Sequence, residues 1–347
     1  MKRSHAALAI VLVSPAFSVA CRGPQPVPDL PPAAQSAAAR PAPLAATSLY
    51  VANFEGYVTV YAPGTSKPLR TIKDGVYSPF LIAFDRFGDL IVGNLGLGLH
   101  EGDVTVYAPR STTLLRTLSK DGQVTAIACD SSGNVYVAND DGVVLVYQAR
   151  STKLLRKITD GLQDPYGLAF DASGDLYVLD EENYGYVNVY RGSDDKLIGQ
   201  ITDGIDNPNA MALDSSGNLY VANYNNVTVY APGTTKASRT ISKGIFNPDA
   251  LALDASGDLY VANYSNSGSA DVTEYAPGGS SPILTITQGG GIPKALAFGS
   301  HDFLNVGDFP PSGSRNGWVN EYSPGKSKPG RTITDGIAEP WGLGFGP

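Results

Sequence analysis

The densest run of ionisable side chains in the sequence is Asp180-Glu181-Glu182. Carboxylate oxygens are the ligands that calcium prefers, so this run is the candidate site for Ca²⁺ or another divalent cation. Its spacing matches no calcium loop, and an acidic chain must place its carboxylates somewhere on its surface. A solvated acidic surface is therefore the alternative interpretation, and no other cofactor is predicted.

A second set of candidates shares one position in a repeated phrase, directly after a proline or its counterpart. The residue at this position differs in every copy: Phe80, Thr125, Tyr166, Asn209, Asp249, Lys294 and Trp341. Aromatic rings beside an amide, a carboxylate and an ammonium suit a small polar ligand, a glycan or a peptide better than a bare metal ion. We therefore predict a ligand-binding site at these residues, with drift of solvent-facing positions as the alternative.

An internal repeat supplies the elements that must position these residues. The phrase Leu-Tyr-Val-Ala-Asn or a variant begins at Leu49, Leu90, Val135, Leu176, Leu219, Leu259 and Leu304. Successive copies lie roughly 40 to 45 residues apart, and each is flanked by runs such as PDALALD before it and VTVYAPG and RTI after it. Four short strand-like runs in a unit of this length are typical of a β-propeller blade.

The two ends of the repeat region determine the number of blades. The first copy begins at Leu49 without the strand that precedes the other copies, and the chain ends with that strand alone at residues 340–347. Six complete units and one split unit predict an all-β fold, a single seven-bladed β-propeller with four-stranded blades over residues 48–347. The C-terminal strand would complete the N-terminal blade, which removes the open sheet edges.

In such a propeller, the connection before each first strand and the loop after each Leu-Tyr-Val-Ala-Asn strand lie on one rim. We call this rim the top. If the first strands line the central channel, the seven variable residues surround its upper mouth. We call them the variable ring.

One unit reads PYGLAFD at residues 165–171 and GDLYVLD at residues 174–180. This unit resembles the repeat of NHL-repeat β-propellers, which also runs Pro-x-Gly-Ile-Ala-Val-Asp and then Gly-Asn-Ile-Tyr-Val-Ala-Asp. The resemblance covers residues 49–347 and implies the fold, while function stays open because propellers include both binding modules and enzymes. Most copies here end in Asn instead of Asp and lack the basic residue usual in the next NHL strand.

Propeller enzymes are the competing interpretation. Lactonases of the gluconolactonase type and streptogramin lyases are propellers with a divalent metal near the axis. Lyase chemistry is associated with histidine, but His100 lies in a predicted top loop and His301 in a predicted bottom hairpin. A lactonase would need Glu, Asn and Asp at the channel, and the variable ring contains Asn209 and Asp249 but no Glu.

The sequence also shows no zinc-type cluster, nucleophile elbow or phosphate-binding loop. We therefore predict an exported propeller that binds a small ligand, a glycan, or a protein or peptide at the top channel mouth without catalysis. The alternative is a divalent-metal-dependent lactonase or hydrolase, or a streptogramin-lyase-like enzyme, with the metal on the propeller axis.

The N-terminal region has the pattern of an export signal. A positively charged start, an apolar run and small residues ending at Ala20 predict a signal peptide over residues 1–20. The Pro/Ala-rich residues 21–47 are predicted to be a disordered tether. Cys21 follows the small residues as in bacterial lipoproteins, although Ser18 stands where that motif usually has Leu. We expect an exported protein, either lipid-anchored in the cell envelope through Cys21 or secreted or periplasmic.

Composition limits the remaining partners. The 347 residues carry a formal net charge of −8, which argues against nucleic-acid binding. The 39 glycines and 25 prolines favour short strands joined by tight turns. Membrane contact is expected only through a lipid on Cys21, and the protein is expected to be a monomer.

Overall fold

The structure is a computed structural model that describes residues 47–95, 102–118, 122–264, 270–287, 289–310 and 315–347. The predicted signal peptide and nearly all of the tether, with Cys21, lie outside the described residues, as does His100. The described residues form 28 β-strands and two 3-10 turns, Glu182–Tyr184 and Ser300–Asp302. They contain no helix long and apolar enough to cross a membrane.

The strands group into seven blades. Blade 1 begins with β1 (Ser48–Asn53), β2 (Tyr57–Tyr61) and β3 (Arg70–Ile72). Blade 2 contains β4 (Pro79–Phe84), β5 (Leu90–Asn94), β6 (Asp103–Tyr107) and β7 (Arg116–Leu118). Blade 3 contains β8 (Val124–Cys129), β9 (Val135–Asn139), β10 (Val143–Tyr147) and β11 (Leu154–Ile158). Blade 4 contains β12 (Pro165–Phe170), β13 (Leu176–Asp180), β14 (Tyr186–Tyr190) and β15 (Leu197–Ile201).

The remaining blades follow the same order. Blade 5 contains β16 (Ala210–Leu213), β17 (Leu219–Asn223), β18 (Asn226–Tyr230) and β19 (Ala237–Ile241). Blade 6 contains β20 (Pro248–Leu253), β21 (Leu259–Asn263), β22 (Asp271–Tyr275) and β23 (Leu284–Ile286). Blade 7 contains β24 (Ile292–Phe298), β25 (Leu304–Phe309), β26 (Trp318–Tyr322) and β27 (Arg331–Ile333). The last strand, β28 (Pro340–Gly346), belongs to blade 1.

Each blade is a four-stranded antiparallel sheet whose strands pair in chain order, apart from the split blade 1. The first strands of successive blades contact one another in a closed circle that runs from β28 through β4, β8, β12, β16, β20 and β24 and back to β28. These strands therefore surround the axis, as a propeller requires. The predicted all-β, seven-bladed architecture is confirmed.

The closure of the ring follows the predicted route. β28 pairs antiparallel with β1, from Ser48 opposite Gly346 at one end to Asn53 opposite Pro340 at the other. The C-terminal strand is thus the innermost strand of the blade that the N-terminal strands begin.

The core lies between neighbouring blades, so the strands bury both faces. Leu219–Asn223, the second strand of blade 5, is buried at every position, which explains why its apolar residues do not alternate with polar ones. Tyrosines at the ends of the third strands donate hydrogen bonds to the connection that enters the same blade. The Tyr61 hydroxyl donates to the Asp335 carbonyl over 2.6 Å, and the Tyr230 hydroxyl to the Asp203 carbonyl over 2.6 Å.

Candidate functional site

Six of the first strands carry a β-bulge at the top, and the bulged residue belongs to the variable ring. In blade 4, Pro165 pairs with Asp180 and Gly167 with Leu179, so that Tyr166 is the extra residue of the bulge. The same irregularity occurs at Phe80, Thr125, Asp249, Lys294 and Trp341. Because a bulge redirects the side chain of its extra residue, bulges are enriched next to active sites. The exception is Asn209, which directly precedes its strand.

Two members of the variable ring bind the backbone of the next blade. Thr125 Oγ1 donates to the Pro165 carbonyl over 2.6 Å. Asn209 Nδ2 donates to the Pro248 carbonyl over 3.0 Å. Their polar groups therefore link adjacent first strands around the channel mouth.

Two further members form a largely buried ion pair between blades 6 and 7. Lys294 Nζ donates to Asp249 Oδ2, and the ammonium lies 4.5 Å from the ring centroid of Tyr264. The side chains of Lys294 and Asp249 are only 16% and 4% exposed. Burial raises the pKa of Asp249, while the neighbouring ammonium acts in the opposite direction. The carboxylate and the ring hold the ammonium in one place, and removing either charge would leave the other buried and uncompensated.

An aromatic cluster lies on the adjoining part of the mouth. The Trp341 ring centroid lies 5.7 Å from that of Phe54 and 5.0 Å from that of Phe309. Phe80 is buried, and Trp341 packs against the same core cluster. Phe309 pairs with Ile292, two residues before Lys294, so the aromatic cluster and the ion pair lie at the same end of blade 7.

Burial separates the members of the variable ring from ordinary surface positions. Phe80, Tyr166 and Asp249 are buried, and the other four are half-buried. Drift of solvent-facing positions therefore does not account for the three buried members.

A second set of mouth residues lies one position after each Leu-Tyr-Val-Ala-Asn phrase, and of these only Glu181 was a candidate from the sequence. They are Phe54, Leu95, Asp140, Glu181, Tyr224, Tyr264 and Phe309. Aromatic residues occupy this position in four consecutive blades, 5, 6, 7 and 1, and three of these rings contact the variable ring. The repeat alignment contained this signal, because the position can be read directly from the phrase.

The residue that ends the Leu-Tyr-Val-Ala-Asn phrase has a structural function in blades 2, 5 and 6. Asn263 is fully buried; its Oδ1 accepts from the Phe246 N–H over 3.2 Å and its Nδ2 donates to the Gly244 carbonyl over 3.1 Å. An asparagine fits this position because its amide both donates and accepts. The departure from the NHL pattern noted above is thus a clamp on the connection that enters the blade.

Asp180 occupies the clamp position in blade 4. It is fully buried and accepts from the N–H groups of Gln163, Asp164 and Glu182 over 2.9 to 3.2 Å. Glu181 is exposed and Glu182 is half-buried. Across the described ranges, no three or more His, Cys, Asp and Glu side chains are grouped so as to hold a metal ion. Calcium binding by Asp180, Glu181 and Glu182 stays a prediction.

Asp308 occupies the clamp position in blade 7. It is 2% exposed, and its Oδ2 accepts from Asn320 Nδ2 over 2.8 Å. Burial raises the pKa of Asp308 to about 7, against the opposing effect of hydrogen bonds from Asn320 and Trp318. Near neutral pH this carboxyl is therefore partly protonated.

Comparison with known proteins gives a family and a fold. The family model for the SMP-30/Gluconolactonase/LRE-like region matches residues 99–305. No curated protein sequence matches the chain significantly. Among solved structures, the computationally designed Ika8 protein is similar at 16% identity, with 86% of this chain and 88% of that chain covered and a TM-score of 0.65.

Hydrazine synthase from Kuenenia stuttgartiensis is similar at 16% identity, with 58% of this chain and 63% of that chain covered and a TM-score of 0.52. At 16% identity, the similarity to these two structures supports the fold alone. Because the family model spans more than half of the sequence, the chain belongs to the SMP-30/gluconolactonase/LRE-like family.

Proposed function

We propose that this protein is an exported binding propeller that holds a small polar ligand at the top mouth of its channel without catalysis. One observation carries the proposal: the largely buried ion pair of Asp249 and Lys294 lies at two bulges, on the rim that also carries the aromatic cluster around Trp341. Bulges at a channel mouth and a few fixed polar groups beside aromatic rings are typical of small-molecule sites.

The arrangement favours a sugar-like ligand that is apolar on one face and polar at its edge. An indole packs well against apolar surface. The Lys294 ammonium has three donors, and Asp249 accepts one of them. No hydrogen bond of the remaining two donors is found among the described residues, and we expect them to bind ligand hydroxyl groups. A glycan satisfies both requirements, and a peptide with an aromatic or aliphatic side chain is the other candidate of this chemistry.

Trp341→Ala is expected to weaken glycan binding roughly thirtyfold, because truncating an aromatic anchor at the centre of a site costs about 2 kcal/mol. Isothermal titration calorimetry of the full chain against a panel of glycans measures this. Phe87→Ala is the matched control, since Phe87 is a partly exposed aromatic in a turn on the opposite rim. Equal affinities of Trp341→Ala and the wild type would exclude the top mouth as the site.

Family membership favours a second candidate function, a metal-dependent lactonase or hydrolase. The described residues at the channel mouth do not fit an axial metal site. Asp249 is the only carboxylate of the variable ring, and it is paired with an ammonium that would repel a divalent cation. Assaying lactone hydrolysis with and without a chelator separates the two functions. Turnover that the chelator abolishes would replace the binding function with the enzymatic one.

Export through a lipid anchor is proposed from the sequence pattern at Cys21. A diacyl anchor binds membranes stably, whereas one acyl chain binds only marginally. Cys21→Ser is therefore expected to move most of the protein from the membrane fraction to the soluble fraction of the expressing bacterium. Fractionation and immunoblotting measure this, with Cys129→Ser as the control. Unchanged partitioning of the Cys21 variant would contradict lipidation.

A further inference from the structure

Arginines recur at one position in the gaps between blades. They lie on the outermost strand, next to the third strand of the same sheet. In blade 5, for example, Arg239 is opposite Val229. The equivalent arginines of the other blades are Arg70, Arg116, Arg156 and Arg331.

Three of the five arginines pair with a carboxylate. The pairs are Arg116 with Asp89, Arg156 with Asp195 and Arg331 with Glu321. Asp195 comes from the turn of the following blade, whereas the other two acids belong to the same blade as their arginine. The position therefore accepts a carboxylate from either side of the gap.

Arg70 has a tyrosine in place of a carboxylate. Its Nη2 donates to the Tyr50 hydroxyl over 2.5 Å, and this hydroxyl donates to the Pro347 backbone oxygen over 2.8 Å. The Phe84 ring packs on Tyr50 with a centroid distance of 4.9 Å. Side chains and backbone of the protein itself thus fill this gap.

Arg239 also bonds to a tyrosine, Tyr220, but its gap is open. Within the part of the chain that the structure describes, Arg239 forms no ion pair. The turn of the following blade has glycines here, and a Cβ on Gly278 would lie 3.7 Å from Arg239 Nη1. The guanidinium therefore faces a turn without a carboxylate.

The open gap is a groove of about 370 Å³ between blades 5 and 6. Its volume falls within the range of small-molecule sites. Besides Arg239 it is lined by the serines at positions 215, 216, 238 and 256. Asp214 also lines the groove, but its Oδ1 accepts from the N–H groups of Ser216 and Asn218 and its Oδ2 from Asn218 Nδ2. That carboxylate is thus held by its own turn.

We propose that this groove binds a small carboxylate ligand, with Arg239 in the role that its equivalents play toward Asp89, Asp195 and Glu321. The planar guanidinium presents paired donors that match the two oxygens of a carboxylate. The hydroxyls of Ser215, Ser216 and Ser256 can donate to the oxygens that the arginine does not reach, whereas the Ser238 hydroxyl already donates to the Val229 carbonyl. The site lies at the bottom of the molecule and is independent of the proposed site at the top mouth.

Isothermal titration calorimetry of the full chain with succinate, and separately with inorganic phosphate, tests the proposal. Succinate is expected to bind the wild type, and Arg239→Gln is expected to abolish that binding. Arg239→Lys keeps the positive charge but loses the paired donors of the guanidinium, so the affinity for succinate should fall about tenfold. Arg70→Gln is the matched control and should bind as the wild type does.

Thermal melting of each variant shows whether it folds. If Arg239→Gln does not fold, the succinate affinity of Arg239→Lys tests the proposal instead. Absence of succinate binding by the wild type would overturn the proposal, as would equal affinities of the wild type and the lysine variant. Tighter binding of phosphate than of succinate would overturn the assignment to carboxylates.

Discussion

Deletion of residues 338–347 is expected to abolish cooperative folding, the largest effect we predict for this protein. The deleted segment contains β28, which is the inner strand of blade 1 and contacts the first strands of blades 2 and 7. Leu343 on this strand is fully buried, and the Ala338 N–H donates to Asn53 Oδ1 over 2.8 Å. Without the strand, β1 becomes an open edge and the facing surfaces of two blades are exposed to water.

The free energy lost with the contacts of this strand is expected to exceed the free energy of unfolding, because native domains are stable by only about 5 to 15 kcal/mol. Urea denaturation followed by circular dichroism is expected to show no cooperative transition in the truncated chain. A sigmoidal transition at the wild-type urea concentration would contradict the closure.

A circular permutant supplies the control for the deletion. Gly346 pairs with Ser48 in the wild type, so a short loop can join the end of β28 to the start of β1 as a hairpin. A chain with residues 338–347 placed before residue 48 is therefore expected to recover the cooperative transition. If the permutant stays unfolded, the loss in the deletion variant arises from something other than the missing inner strand.

The closure could be predicted from sequence because it depends only on the phase of a repeat. The first phrase at Leu49 lacks a preceding strand and the last strand lacks a following phrase, so one end completes the other. The positions of the variable ring followed from the same phase. The bulges at Phe80 or Tyr166 did not, because a register shift depends on how two paired strands twist.

The partners within the site could not be predicted for a different reason. Lys294 pairs with Asp249 and contacts Tyr264, residues from the preceding blade that come together only once the ring is assembled. The clamp by Asn263 likewise depends on the connection that enters its blade. The position of a residue in the repeat thus predicts where it lies along the propeller axis, whereas its contacts depend on the neighbouring blades.

Asp308→Asn is expected to stabilise the protein at neutral and alkaline pH, the second large effect that we predict. Burial raises the pKa of Asp308 to about 7 from its ordinary value of 3.8. Between these values the folded state binds more protons than the unfolded state, so stability falls as pH rises through this window and is level above it. The slope from this one group reaches about 1.4 kcal/mol per pH unit.

Asparagine is the natural replacement because it occupies the same clamp position at Asn53, Asn94 and Asn263 and stays neutral at every pH. Its Oδ1 can still accept from Asn320, as Asp308 Oδ2 does over 2.8 Å. Urea unfolding of the wild type and the variant at several values from about pH 5 to about pH 8 measures the difference. The variant should gain stability relative to the wild type as pH rises.

Asp180→Asn is the matched control, because Asp180 holds the equivalent position but accepts three backbone N–H groups. Replacing one of its carboxylate oxygens with an amide NH₂ removes an acceptor from these donors, so this variant should be less stable than the wild type. The same substitution at two equivalent positions is therefore expected to have opposite signs. A parallel pH dependence of the wild type and Asp308→Asn would show that the carboxyl at position 308 is ionised in the folded protein throughout this range, and that its burial does not control the stability of blade 7.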